Sequence, residues 1–333
     1  RRQRRLFQLA GADGRSAATA PVLSIPYDQP DLQAFLRRVG FGLPAEWFTG
    51  IPFAVHRCLQ CEALFQGWVL EEPQLARLYG QNDAAHRLPS ESALLALAHL
   101  AHDVLLLRRL QPMPQPRVLD YGMGWARFAL LAQAFGCEVT GVEVSATTRA
   151  HAQRHGIQVC DESELGVAAF DFVLVDQVLE HLSDPAPTLT RLARSLKPGG
   201  LLLAGVPGHP KLAGHFARAA RDSTQLRELT DRDWDALCPT IHVNLFDATS
   251  LRALGERAGL RGFRPPFWRA AGTGLLWDQP RQWGRNFRLA WKYSRGIGTR
   301  SPLGARKSRC PNFTGEMRPS HRMYCTITGS FRP

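Results

Sequence analysis

Hydrophobic and polar residues form alternating blocks from Arg117 onward, and the period changes from one block to the next. Short apolar runs typical of buried strands are separated by stretches in which apolar positions recur at helical spacing. The strand-like runs are RVLD, EVTGVEV, IQVC, FDFVLVDQ and GLLLAGVP, and the helix-like stretches are WARFALLAQAFG, SATTRAHAQRHG, DPAPTLTRLARSL and DATSLRALGERAG. Strands that alternate with helices in this way predict βαβ units and an α/β fold with a parallel sheet covered on both faces.

A proline-rich break separates this region from the chain before it. The run SESALLALAHLAHDVLLLRRL predicts a helix with Ser90 as its N-cap, and QPMPQP ends it because proline cannot continue a helix. We therefore predict an N-terminal extension at 1–110, an α/β domain at 111–263 and a C-terminal region at 264–333. In that last region MYCTITGSF alternates like a strand. It either completes the sheet or belongs to a tail that pairs with nothing.

A glycine turn joins the first predicted strand to the helix that follows it. In RVLDYGMGWARFA, Gly122 and Gly124 let the backbone turn tightly and approach a ligand without a Cβ in the way. Ligands of open α/β sheets bind beyond the carboxyl ends of the strands, where this turn lies. A dinucleotide fingerprint needs a third glycine where Arg127 stands, which argues against a pyrophosphate ligand. The turn alone also fits a plain connection between strand and helix.

Acidic residues end three successive strands. Asp120 precedes the glycine turn, Glu143 closes EVTGVE, and Asp161 follows IQVC. A carboxylate in the place of Glu143 can accept both hydroxyls of a ribose, and Asp161 is placed to reach an adenine edge. Each acid alone is typical of a solvated loop, but the three together indicate one binding site at this edge of the sheet.

These motifs resemble those of class I S-adenosylmethionine-dependent methyltransferases. The resemblance covers about Arg117 to Phe263 and is strongest in VLEHLSDP and LKPGG, which are typical of the branch acting on small molecules, sugars and lipid-like acceptors. It implies a Rossmann-like, doubly wound sheet of seven strands and S-adenosyl-L-methionine as the cofactor. Ala126 departs from the family pattern, which has a third glycine there.

The resemblance also assigns the cofactor site residue by residue. Asp120, Gly122 and Gly124 would surround the methionine moiety. Glu143 would hold the ribose hydroxyls, Asp161 would lie near the adenine, and Gln177 would approach from the fourth strand.

Methyl transfer from a sulfonium is an in-line displacement that needs no protein nucleophile. A hydroxyl or carbon-acid acceptor must nevertheless lose a proton. His181 follows the fourth strand at the mouth of the crevice and belongs to the residue type that titrates near neutrality, so we assign it as the candidate base. His209 and His242 are the alternatives.

The segment HRCLQCEALFQGWVLEEPQLARLYG resembles the second half of the N-terminal zinc ribbon found in many methyltransferases of this type. Such a ribbon needs four ligands, commonly two C-x-x-C pairs. Here no cysteine precedes Cys58, Cys61 completes only one pair, and His56 is the one nearby addition. We therefore expect a metal-free remnant and assign no metal ligand.

The formal charge of +12 suggests nucleic acid until it is located along the chain. Residues 261–333 hold 15 Lys and Arg against two acids, a net +13, which leaves −1 for the other 260 residues. This uneven distribution indicates a basic tail and argues against an RNA methyltransferase, as does VLEHLSDP, where many enzymes that methylate nucleic-acid amines carry an Asn/Asp-Pro-Pro-aromatic motif. A methyltransferase-like scaffold without activity is the other alternative, and the intact acids and glycines argue against it.

Compartment and partners follow from what the composition excludes. Seven scattered cysteines do not make a disulfide framework. The basic start of the sequence has no apolar run behind it, and no run approaches the roughly 18 residues of a membrane span. We expect a cytoplasmic enzyme with a small-molecule acceptor and no membrane span, whose oligomeric state the sequence leaves open.

Overall fold

The computed structural model describes residues 19–38, 50–59, 63–68, 70, 74, 91–207, 237–239, 241–263, 287 and 322–329. Cys61, His209 and most of the basic C-terminal region lie outside these residues. In the part of the chain that is described, no helix is long and apolar enough to cross a lipid bilayer.

Strands and helices alternate along the described chain. The strands are β1 (Thr19–Pro26), β2 (Pro52–Cys58), β3 (Leu64–Gln66), β4 (Arg117–Tyr121), β5 (Glu138–Val142), β6 (Gln158–Cys160), β7 (Phe170–Asp176), β8 (Leu196–Pro207), β9 (Asn244–Leu245), β10 (Leu260–Gly262) and β11 (Arg322–Gly329). The helices are α1 (Pro30–Arg38), α2 (Glu91–Leu110), α3 (Arg127–Ala134), α4 (Ala146–Arg154), α5 (Pro185–Ser195) and α6 (Ala248–Arg257).

The larger sheet has the spatial order β10-β11-β8-β7-β4-β5-β6. Among the described strands, β8, β7, β4, β5 and β6 form a parallel set of five. This set confirms the predicted α/β class. The strand order reverses at β4, whose two neighbours are β5 and β7, and such a reversal opens a crevice at the carboxyl ends of the strands.

Strand β11 extends this sheet on the other side of β8. It pairs antiparallel with β8, joining Arg322 to Pro207 and Thr328 to Leu201, and antiparallel with β10. The segment MYCTITGSF, which alternates like a strand, falls largely within β11.

Both faces of the parallel set are buried, as its continuous apolar runs require. Successive residues of a strand point to opposite faces. Phe172 and Leu174 pack in one cluster with α2 and α3, whereas Val173 and Val175 pack in a second cluster with α5 and α6. The five parallel strands are therefore held in place from both sides.

Helix starts follow the signals read from the sequence. Asp184 directly precedes Pro185, the first residue of α5, and its side chain accepts a hydrogen bond from the Ala186 amide. The Asp247 side chain accepts one from the Ser250 amide at the start of α6. These side chains satisfy amides that the first helical turn leaves without an intrahelical partner. Asp247 opens the stretch DATSLRALGERAG, whose helical spacing predicted this helix.

The turn between β4 and α3 runs through left-handed backbone at three positions. Gly122 has a φ of 75°, Gly124 a φ of 51° and Ala126 a φ of 56°. A Cβ added at Gly122 would collide with Cγ2 of Val178, whereas one at Gly124 would meet nothing within 4 Å. Gly122 is thus required by space as well as by conformation, and Gly124 by conformation alone.

A second sheet joins the N-terminal segment to the chain beyond β8. Its order is β1-β2-β3-β9, and β3 pairs with β9 through Leu64 with Leu245 and Phe65 with Asn244. The sheet packs on a small core of its own that includes Leu32, Phe53 and Leu237. Residues far apart in sequence are therefore joined beside the larger sheet.

Gln66 is the main polar link within this second sheet. Its side-chain amide donates to the carbonyl of His242 at 2.7 Å and lies 3.3 Å from those of Leu237 and Cys238. Its backbone amide donates to Val243. Because Gln66 is only 4% exposed, these bonds are shielded from water and fix the backbone around His242.

Asn244 connects the same segment to the end of β7. Its side chain donates to the carbonyls of Leu179 and Leu182, and its backbone amide donates to Glu180. The turn that follows β7 is thereby held against β9. Residues 241–244 and 179–182 must lie side by side.

We expect Gln66→Leu to destabilise the protein by about 2–3 kcal/mol, since it leaves buried carbonyls without their donor. Gln133→Leu is the matched control, because the Gln133 side chain makes an exposed bond to the Gly156 carbonyl. That variant should change the free energy of unfolding by less than about 0.5 kcal/mol. Denaturant unfolding measures both, and equal effects would contradict the role given to Gln66.

The two glycines of the turn should respond differently to a methyl group. Gly124→Ala should cost about 1–2 kcal/mol from left-handed strain alone. Gly122→Ala adds the collision with Val178 and should cost about 1–3 kcal/mol more. Thermal unfolding of the two variants compares them directly, and a Gly124 variant as unstable as the Gly122 variant would refute the spatial argument.

Candidate functional site

The carboxyl ends of four parallel strands lie side by side at one edge of the larger sheet. Tyr121 of β4 pairs with Val142 of β5 and with Val175 of β7, and Val142 pairs in turn with Cys160 of β6. The residues that follow these strands therefore form one row. The structure brings to this row all the positions that the sequence analysis assigned to the cofactor: Asp120, Gly122, Gly124, Glu143, Asp161 and Gln177.

The carboxylate of Glu143 closes the glycine turn. One oxygen accepts a hydrogen bond from the amide of Gly124 at 2.8 Å, and the other accepts from the amides of Val144 at 2.7 Å and Ser145 at 3.0 Å. A carboxylate offers about four acceptor positions. Three of these positions are occupied by amides, so any ligand that brought two further donors to Glu143 would displace at least one of them.

Asp120 is buried beneath the same turn and is 4% exposed. Its carboxylate accepts from the amide of Ala129 in the first turn of α3 at 3.2 Å. Ala126, at the N-cap, has no side chain that could do so. The pKa of Asp120 is raised to about 7, mainly by burial. The neighbouring acids Asp176 and Glu143 also raise it, and the Ala129 amide lowers it. The side chain thus organises the start of α3.

Asp161 lies at the solvent-facing side of the row, with 66% of its side chain exposed. It forms an ion pair with Arg149 at 2.8 Å, and the same guanidinium nitrogen of Arg149 donates to the carbonyl of Glu143 and lies 3.4 Å from that of Cys160. Arg149 therefore ties the ends of β5 and β6 together. The sequence analysis did not select Arg149, although a basic residue one turn into the helix after GVEVS was a usable signal.

Gln177 combines backbone strain with a buried polar group. Its φ is 58°, left-handed for a residue with a side chain, and its amide donates to the carbonyl of Gly205 at 2.7 Å. Its side-chain nitrogen is buried and has no hydrogen-bond acceptor among the described residues. Strained residues of this kind cluster at ligand sites. Gln177 therefore has a donor available to a ligand at this edge of the sheet.

A cluster of titratable residues follows Gln177. His181 Nε2 lies 3.8 Å from a Glu180 oxygen, and the rings of His181 and His242 meet at 4.8 Å between centroids with a 64° angle. His181 Nδ1 lies 3.2 Å from the carbonyl of Ile241. The pKa of His181 is lowered to about 4, mainly by burial and against an opposing effect of the Ile241 carbonyl. The imidazole is therefore neutral at physiological pH, and it takes up a proton less readily than the expectation of titration near neutrality implied.

The cluster adjoins the cofactor row. Val178, whose methyl group fills the space over Gly122, lies one residue after Gln177 and two before Glu180. The sequence analysis selected His181 and named His242 as an alternative, but it missed Glu180 and the grouping of all three. Only the EH pair in VLEHLSDP signalled this locally, because His242 reaches the site through β9 and Asn244.

The chain is similar to curated methyltransferases over part of their length. It is 28% identical over 202 residues to a ubiquinone biosynthesis O-methyltransferase of Caulobacter sp. (strain K31). The matched region covers 57% of this chain and 66% of that protein. It is 34% identical over 107 residues to the protein of the same name from Dinoroseobacter shibae, covering 29% of this chain and 43% of that protein. The chain thus spans less than two thirds of either relative.

Solved structures also resemble it. The 1,6-didemethyltoxoflavin-N1-methyltransferase of Burkholderia thailandensis, determined with 1,6-didemethyltoxoflavin and S-adenosylhomocysteine bound, is 16% identical and superposes with a TM-score of 0.45. That match covers 82% of this chain and 98% of the other.

A family model described as a methyltransferase domain matches residues 90–263, which are 174 of the 333 residues. The matched range contains the five parallel strands, the glycine turn, the row of acids and the Glu180–His181 pair. The chain therefore belongs to the methyltransferase-domain family.

Proposed function

We propose that this chain catalyses the transfer of a methyl group from S-adenosyl-L-methionine to a small-molecule acceptor. The observation that carries the proposal is the position of the Glu143 carboxylate. It binds the glycine turn and lies at the crevice where the strand order reverses, in a chain that belongs to the methyltransferase-domain family. An acid at that place is suited to ribose hydroxyls.

The remaining cofactor contacts follow from the same edge of the sheet. Gly122 and Gly124 expose backbone to the methionine moiety, and Asp120 keeps the turn in place through its bond to α3. Asp161 borders the adenine end, where its ion pair with Arg149 orients it. Gln177 offers its buried side-chain nitrogen from the end of β7. These roles extend the sequence-based assignment with the contacts of each residue.

The chemistry requires alignment more than a reactive side chain. An oxygen of the acceptor attacks the methyl carbon, the carbon–sulfur bond breaks, and its electron pair stays on sulfur to leave a neutral thioether. Positioning of the two reactants supplies most of the acceleration in such a displacement. The proton of a hydroxyl acceptor must leave, and His181 is our candidate to receive it because it lies beyond β7, beside the cofactor row.

For the acceptor we infer a small molecule with a hydroxyl group, of the sugar, phenol or lipid-like kind. The support is the VLEHLSDP motif, at the end of β7, together with the names of the O-methyltransferase relatives. RNA methylation and a scaffold without activity remain the competing functions.

For the N-terminal segment we infer a remnant of a zinc ribbon that retains packing without metal. Cys58 is a buried free thiol at the end of β2, and the His56 ring stacks on Phe65 at 5.8 Å between centroids. Cys61 lies outside the described residues. The support is therefore the packing of Cys58 and His56 in the β2–β3 hairpin.

Incubation with labelled S-adenosylmethionine and a panel of nucleotide sugars, phenols and RNA tests the proposal. Label in a sugar or phenol fraction is the expected result. Label in RNA alone would replace the proposed acceptor, and cofactor binding without transfer to any member would favour the scaffold.

We expect Glu143→Ala to weaken binding of S-adenosylhomocysteine by about tenfold to a hundredfold, or about 2–3 kcal/mol, since it removes a charged acceptor of two ribose bonds. Isothermal calorimetry measures this. Glu138→Ala is the control, because Glu138 starts the same strand and pairs with exposed Arg117 at the opposite end. Unchanged affinity in the Glu143 variant would remove the basis of the cofactor assignment.

His181→Ala should reduce turnover more than it reduces cofactor affinity, because His181 is the candidate proton acceptor and is not among the proposed cofactor contacts. Single-turnover assays with a labelled methyl donor give the rate, and calorimetry on the same protein gives the affinity. His155→Ala, which alters an exposed histidine at the C-cap of α4, is the control. Wild-type turnover in the His181 variant would return this residue to a structural role.

A further inference from the structure

We propose that Glu180, His181 and His242 bind a divalent transition-metal ion, with zinc the best fit. One ligand atom from each of the three residues can be chosen so that all lie within 4.8 Å of one another. Two imidazoles and one carboxylate form a donor set typical of catalytic zinc sites. The site shares no residue with the cofactor row, so zinc binding is tested apart from cofactor binding. It does share His181 with the proposed methyl transfer, and a bound ion would make His181 a ligand in place of the base proposed above.

The distances suit a metal after a small side-chain adjustment. Ligand atoms at about 2.1 Å from a four-coordinate zinc lie roughly 3.4 Å from one another. His181 Nε2 is already 3.8 Å from the Glu180 carboxylate. The centroids of the His181 and His242 rings lie 4.8 Å apart, and one ligand atom from each of the three residues lies within 4.8 Å of the others. Rotation of His242 toward the other two closes the remaining gap.

The backbone around the cluster orients its ligands. His181 Nδ1 faces the carbonyl of Ile241 at 3.2 Å, so the Nδ1 proton is used there and Nε2 carries the lone pair. A ligating histidine is typically fixed by a second hydrogen bond of this kind. On the other side, Gln66 holds the carbonyl of His242 at 2.7 Å. The His181 imidazole and the His242 backbone are thus held by contacts that do not involve the metal.

The burial of the Glu180 carboxylate favours a cation beside it. Glu180 is 1% exposed and His242 8% exposed. An ionised carboxylate removed from water is costly unless positive charge or donors compensate for it. A divalent ion at the point where Glu180 meets two histidines would add positive charge beside this buried carboxylate. Nitrogen donors favour zinc, iron or copper over magnesium, which prefers oxygen ligands and retains its waters.

Three protein ligands leave a coordination position open, and this position defines what the ion would do. It adjoins the end of β7, beside Val178 and the cofactor turn. A hydroxyl bound there would be more acidic, because coordination to zinc lowers the pKa of a bound oxygen acid. His181 would then act as a ligand, since a coordinated Nε2 has no lone pair for a proton.

The experiment uses the full chain after dialysis against a chelator. Calorimetry with zinc chloride alone should show one ion bound, and cobalt(II) chloride alone should give the visible absorption of a low-symmetry site with nitrogen ligands. Glu180→Gln and His242→Ala should each weaken zinc binding by at least about tenfold. Glu180→Gln preserves side-chain shape, and its S-adenosylhomocysteine affinity reports whether the fold is intact.

The control is a second histidine pair on the surface. His151 lies in the last turn of α4 and His155 at its C-cap, with ring centroids 4.3 Å apart, so they offer two imidazoles without a buried carboxylate. The double variant His151→Ala, His155→Ala should leave the bound ion and the cobalt spectrum unchanged. Absence of stoichiometric binding in the wild type would overturn the proposal. Zinc binding that persists in the Glu180→Gln and His242→Ala variants would also overturn it, as would zinc binding that is lost in the double variant His151→Ala, His155→Ala.

Discussion

The alignment of β4 with its two parallel neighbours is the constraint on which the site depends. Register places Tyr121 level with both Val142 and Val175, so each strand delivers its next residue to the same edge. Sequence distances of about twenty residues or more between Gly122, Glu143 and Gln177 are thereby converted into one crevice. Apolar packing on both faces of the sheet holds that register, because a slip would turn buried side chains to the wrong face.

A second constraint acts from outside the parallel sheet. Gln66 and Asn244 bind main-chain carbonyls on either side of the histidine cluster, and both side chains are buried. The N-terminal strands are thus part of the support of the site. The backbone of His242 is held by a hydrogen bond from Gln66, which precedes it by 176 residues in the sequence.

The sequence predicted what local patterns encode. The parallel set of strands and the convergence of Asp120, Glu143 and Asp161 at one edge follow from apolar periodicity and from where each strand ends, whereas Gln177 was implied by the family resemblance. The partners of those side chains did not follow. Glu143 accepts from Gly124, and Asp120 accepts from Ala129, across a turn with left-handed backbone at Gly122, Gly124 and Ala126 that the sequence pattern does not specify. The link between Ile241 and His181 spans 60 residues and has no periodic signature.

Strand β11 has a consequence for how the chain folds. It inserts between β8 and β10, yet 115 residues separate Arg322 from its partner Pro207. Pairings of such long range form slowly, since the entropy of closing a large loop is lost before the contacts compensate for it. During synthesis β8 would therefore wait with an open edge, and open edges invite pairing with other chains. The period between the emergence of β8 and the arrival of β11 from the ribosome is when this protein is most exposed to aggregation.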